Sequence, residues 1–104
     1  MDKLQQLTQY ISKVVADDRL KPIHIAMAFA LCDVWIIEQF QQPYRVSRSV
    51  LMQASKIRSK ATYHKVIREL QTFGYLKYNP SYHPINASQV VLVMKDQSPM
   101  DCNR

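Results

Sequence analysis

The chain has 104 residues, 47% of them hydrophobic, with one Gly, five Pro and a formal charge of +6. That composition fits one domain with a small core, and it excludes a low-complexity or largely disordered chain. A single Gly excludes a glycine-rich phosphate loop, and two Cys exclude a disulfide framework.

Leu4, Leu7, Ile11, Val14 and Val15 recur at helical spacing, which predicts an amphipathic helix over 2–16. The same stretch is studded with polar residues, so no secretory signal is expected there. Residues 17–21 form a polar break. Asp17 and Asp18 have no third carboxylate near them in sequence, so they read as a solvated loop rather than a metal site. Pro22 suits the first turn of a second helix, where its missing N–H costs nothing. That helix is expected over 22–41, stopping before Pro43. Its apolar run, 23–37, is broken by His24 and Asp33 and falls short of the ~20 residues a membrane span needs. A central core helix, apolar nearly all round, is expected instead, with Trp35 in its interior and Phe40 packed there too. Cys32 reads as a buried thiol and Cys102 as a free one, a usage that fits a reducing, cytoplasmic setting.

Residues 44–46 are a connector or a short strand. Ser47 then caps a short helix whose inner face is Val50, Leu51 and Ala54. Residues 55–58 make a turn anchored by Ile57. Ser59 caps the next helix, which runs to Phe73, and Gly74 is placed where that helix ends in a left-handed residue. Aromatic and β-branched residues over 75–79 and 89–93 predict two strands of a hairpin, joined by a proline-containing loop. The expected fold class is therefore mainly α with a small β-hairpin: one domain over 1–95 and a polar tail over 96–104.

Charge is distributed unevenly. Residues 39–68 carry seven basic side chains and no acid; extended to residue 95, nine Lys and Arg face one acid, Glu69. Each flank sums to −1, so the whole positive excess lies in one region. Such a field attracts a polyanion. On a helical wheel of 60–73, Tyr63, Val66, Ile67, Leu70 and Phe73 share one face about 120° wide. Lys60, Ala61, His64, Lys65, Arg68 and Thr72 occupy the other, and Thr62 lies at the margin. Solvated faces normally mix signs, and this one does not.

The run Ser59-Lys60-Ala61-Thr62-Tyr63-His64-Lys65-Val66-Ile67-Arg68-Glu69-Leu70, followed by Gly74-Tyr75-Leu76, resembles the recognition helix and first wing strand of bacterial winged-helix DNA-binding proteins. The likeness covers roughly residues 44–93. More loosely, the chain resembles short winged-helix proteins of conjugative transposons and phages. The resemblance implies a winged helix-turn-helix with an extra N-terminal helix, a helix-turn-helix over 47–73 and a wing over 75–93. The helix 59–73 would enter a major groove, its N-terminal turns at base edges. Lys60, Ala61, His64 and Lys65 are then the base-facing candidates, with Arg68 further along. N–H groups near Ser59 could hold a phosphate, and Arg45, Arg48, Lys56 and Arg58 are expected on backbone phosphates. In the wing, Tyr82, His83 and Asn86 could bond to a minor groove or to flanking phosphates, with Lys77 adding charge. The other reading of the tip has Tyr82 packed back on the domain and Pro80 and Pro84 stiffening the turn. The tip lacks arginine, which speaks against deep minor-groove insertion.

Expected function is a sequence-specific, double-stranded-DNA-binding transcription regulator of a bacterial cytoplasm, with no cofactor. One alternative is an accessory DNA-binding protein for replication or excision of a mobile element. Another is a winged helix that docks an acidic protein. A homodimer through Leu4, Leu7, Ile11, Val14 and the 22–41 helix is expected, although the same stripe would equally close the monomer's own core. His24, His64, His83, Cys32 and Cys102 show no metal-ligand spacing, and catalysis is not expected.

Overall fold

A computed structural model describes residues 2–79 and 88–93 of the chain. The elements are α1 (Lys3–Ala16), α2 (Pro22–Ile37), β1 (Tyr44–Val46), α3 (Arg48–Ser55), α4 (Lys60–Thr72), β2 (Leu76–Asn79) and β3 (Ser88–Leu92). No helix among the described residues is long and apolar enough to cross a membrane.

Helix starts follow from short polar side chains that accept orphan N–H groups. The Asp2 carboxylate accepts from Leu4 N–H at 3.4 Å, Ser47 Oγ from Val50 N–H at 3.5 Å, and Ser59 Oγ from Thr62 N–H at 3.2 Å. The second helix starts differently. Pro22 occupies its first turn, and His24 Nδ1 accepts the Lys21 N–H at 2.9 Å.

Three helices stop in the same way. In α2 the Phe40 N–H bonds back to Trp35 C=O at 2.9 Å and Gln39 N–H to Ile36 C=O at 2.9 Å. In α3 Ile57 reaches Met52 at 3.0 Å and Lys56 reaches Gln53 at 3.3 Å. In α4 Tyr75 reaches Leu70 at 2.9 Å and Gly74 reaches Gln71 at 3.1 Å. Each pair is a Schellman closure, with a residue at positive φ: Gln39 at 58°, Lys56 at 67° and Gly74 at 90°. An apolar side chain then folds back onto its helix. The Phe40 ring meets Trp35 edge-on at 4.8 Å, and Ile57 and Tyr75 are buried. This closure ends α2 at Ile37, four residues before the boundary predicted at 41. Gln39 and Phe40 both adopt left-handed backbone, which no glycine announced.

The three strands form an antiparallel sheet in the order β1-β3-β2. Tyr44 pairs with Val90, and Leu76 pairs with Leu92. The central helix α2 contacts α1, α3 and α4, and α4 also contacts β2. The resulting core holds Met27, Leu31 and Trp35 of α2, Leu51 of α3, Tyr63 and Leu70 of α4, and Leu76, Val90 and Leu92 of the sheet. Tyr44 donates its hydroxyl to Leu31 C=O at 2.8 Å, tying β1 to α2.

Two predicted core faces differ from the observed ones. Val50 is 49% exposed and Ala54 is exposed, while Leu51 and Ser55 turn inward. A serine can take that position because its hydroxyl returns to Leu51 C=O at 2.7 Å, so nothing polar is left unpaired. On α1, Tyr10 is buried and Leu4 is 65% exposed. Val14, expected in a contact with a second copy, is 0% exposed inside the chain's own core.

Lys56 carries a Cβ in a backbone region that costs a non-glycine residue roughly 1–2 kcal/mol, offset in part by glycine's own entropy cost of ~0.5–1 kcal/mol. Lys56→Gly should therefore raise stability by about 0.5–1 kcal/mol in urea unfolding. Gly74→Ala should lower it by roughly 1–2 kcal/mol from φ alone, because a Cβ there would meet nothing within 4 Å. Equal and opposite failure of both would remove the left-handed closures from the stability account.

Candidate nucleic-acid interface

The apolar stripe of α4 is buried through Tyr63, Val66, Ile67 and Leu70, with Phe73 half-buried beside them. Lys60, Ala61, His64, Lys65, Arg68 and Thr72 are all exposed. The same is true of Arg45 on β1, Arg48 at the start of α3, Lys56 and Arg58 in the turn, and Ser59 at the cap. Among the described residues the charged contacts are the Arg19–Asp17 ion pair and the His24–Glu69 hydrogen bond, so none of the seven basic residues over 39–68 has an ion pair there. Tyr82 and His83, with Asn86, lie outside the described residues.

Glu69, the one acid in the basic region, is engaged elsewhere. His24 Nδ1 already accepts the Lys21 N–H, so its proton sits on Nε2, which donates to Glu69 Oε1 at 2.7 Å. That bond holds the Glu69 carboxyl below its usual range, against the opposing effect of desolvation. The contact fastens α4 to the start of α2. Lys65 and Lys21 also act on that carboxylate and help to hold it ionised.

Two grooves flank the α4 surface. One, about 300 Å³, lies at the α3–α4 turn between Met52, Gln53, Lys56, Ile57 and Arg58. The other, about 360 Å³, lies between α4 and β2 and is lined by His64, Ile67, Arg68, Gln71 and Tyr78. Its far wall is held by Gln71, whose Oε1 accepts the Tyr78 N–H at 2.7 Å. Gln71 and Tyr78 were not among the candidates from sequence. The spacing 64, 68, 71 on one helix face was the available signal for Gln71; nothing local marked Tyr78.

A second set of bonds fixes the C-terminal end of α4. Tyr75 donates its hydroxyl to Asp17 Oδ2 at 2.7 Å, and Tyr10 donates to Tyr75 C=O at 3.0 Å. Arg19 forks onto Asp17 at 2.9 and 2.6 Å and stacks over the Phe73 ring at 4.6 Å. The Arg19 hydrogen bonds hold the Asp17 carboxyl well below the usual carboxylate range, and the Tyr75 hydroxyl adds to that. Desolvation first, then the bond to Asp17, pushes Tyr75 up to about 12. Asp17–Asp18 was read as a plain solvated loop; Asp17 is instead 12% exposed at its side chain and joins α1 to β2.

The other reactive groups are enclosed. Burial pushes the Cys32 thiol up to about 12. The Tyr63 hydroxyl is buried and has no hydrogen-bond partner among the described residues, which places it out of reach as a nucleophile. No cluster of three or more His, Cys, Asp or Glu that could hold a metal occurs among the described residues.

Asp17 titrates lower in the folded chain than in the unfolded one, so its contribution is complete above the unfolded value near 4 and is lost as pH falls below it. Thermal melts should show wild type losing more melting temperature between about pH 5 and pH 2 than Asp17→Asn loses. Above that window the gap between the two should stay constant. Parallel acid profiles would show that the carboxylate is not coupled to folding.

Compared with protein-family models, curated proteins and solved structures, the chain matches none.

Proposed function

We propose that this chain is a sequence-specific double-stranded-DNA-binding protein that regulates transcription by occupying an operator. In this reading the four helices and the sheet form a winged helix-turn-helix, with α3, the turn and α4 as the helix-turn-helix and β2–β3 as the wing. Supporting it is one observation: seven basic side chains, exposed on β1, α3, the turn and α4, have no ion pair among the described residues, while the back of α4 is buried. A groove-width helix with an uncompensated cationic front is suited to a duplex. The mechanism is steric and electrostatic, with no bond made or broken. Lys60, Ala61, His64 and Lys65 face base edges; Arg45, Arg48, Lys56 and Arg58 hold phosphates. A role at the ends or origin of a mobile element uses the same contacts, and genomic neighbours separate the two.

The protein acts as a pair in this reading. Leu4, Val15, Phe29, Ile36 and Ile37 are exposed large apolar residues on α1 and α2. Covering them would remove on the order of 500 Å² per chain from water, above half of the ~800 Å² per partner in a standard interface. A second copy also supplies the second half-site contact that duplex readers of this size use.

Binding to random-sequence duplex at low salt tests the core of the reading. With ~6 phosphates neutralised, the log–log slope of affinity against salt should be roughly −5. Lys65→Ala should weaken binding several-fold without changing the melt. An absence of duplex binding at low salt would turn attention to an acidic protein partner. Sedimentation at micromolar concentration should give a dimer, and Phe29→Ser with Ile37→Ser should give a monomer; a wild-type monomer would end the pair.

A further inference from the structure

We propose that the groove between α4 and β2 seats a backbone phosphate of the bound duplex, with Arg68 as its cationic anchor rather than as a reader of bases. This rests on the duplex-binding reading above. The wheel alone put Arg68 in line with His64 and Lys65 as one continuous base-facing row. The tertiary structure adds a wall beside it: Arg68 lines a groove of about 360 Å³, shared with His64, whose opposite side is the Tyr78 strand residue.

The lining chemistry favours an anion. Arg68 brings fixed guanidinium donors and has no ion pair among the described residues. Gln71 has committed its carbonyl oxygen to the Tyr78 N–H, so its amide NH₂ is the part left to donate. No carboxylate lines the groove among the described residues. The half-buried Tyr78 ring gives an apolar surface that suits the carbon face of a deoxyribose next to the phosphate.

The strand wall is also prepared. β2 is an edge strand, and its Tyr78 N–H points away from β3, toward α4. Gln71 satisfies that donor and thereby holds the groove at one width. The Tyr78 hydroxyl is turned to Ser88 Oγ at 3.1 Å, bracing the ring from the next strand. A cation beside a groove of fixed width can position a strand running along it without reading sequence.

Arginine on a base edge and arginine on a phosphate respond differently to replacement. Arg68→Gln should reduce the salt slope by about 1 and weaken selected and unrelated duplexes by the same factor. Arg68→Lys should keep the slope and most of the affinity, since a phosphate accepts a point charge. Loss confined to the selected sequence, with the slope unchanged and no rescue by lysine, would make Arg68 a base reader and overturn the proposal. Wild-type affinity in Arg68→Gln would overturn it too, by removing the groove from the interface. If wild type binds no duplex at all, the duplex reading itself falls, and the seat with it. Inorganic phosphate, titrated without DNA and followed by NMR, should give no saturable shift at low millimolar concentration. A saturable shift lost in Arg68→Gln would assign the groove to a small phosphorylated ligand instead.

Discussion

Burial of one helix face governs the rest of this molecule. Tyr63, Val66, Ile67 and Leu70 must leave water, and the available place is against α2 and the sheet. Once that face is fixed, the direction of every other residue on α4 is fixed with it. Lys60, His64, Lys65 and Arg68 point outward because the helix has no other way to turn. The charge of the site is thus a by-product of packing behind it. Glu69 fits the same logic: at the margin between the two faces it finds His24, and the front stays purely basic.

The fold ties that helix down at two places in its C-terminal half. His24 and Glu69 bind it to the start of α2. Tyr75, Asp17, Arg19 and Tyr10 bind its C-terminal end to α1 and the first loop. The N-terminal helix is therefore part of the domain core through Tyr10 and Val14, while its Leu4 and Val15 stay exposed. Periodicity shows that a stripe exists, but not how much of it the rest of the chain covers.

Chain direction is controlled by repeated use of one device. Gln39, Lys56 and Gly74 each let the backbone leave a helix through left-handed φ, and in each case an apolar side chain closes the end. A glycine makes such an exit visible in sequence, because no other residue adopts it without cost. At Gln39 and Lys56 the exit is driven by the residue that follows it. Phe40 gains Trp35 as a partner, and Ile57 gains a place in the core. That gain is tertiary, so the end at 37 carries no local mark, whereas the apolar Ile57 within a polar turn marks the end at 55.

What local patterning determined was the number and order of the helices, the caps at Ser47 and Ser59, the glycine exit after α4 and the two-faced character of α4. Each depends on interactions within a few residues, where composition and spacing are enough. The order β1-β3-β2, the inward turn of Ser55, the burial of Val14 and the groove joining Arg68 to Tyr78 were decided elsewhere. These depend on which surfaces meet across long stretches of chain. A wheel can say that Arg68 faces away from the core, but only the arrival of β2 beside it determines what it faces instead.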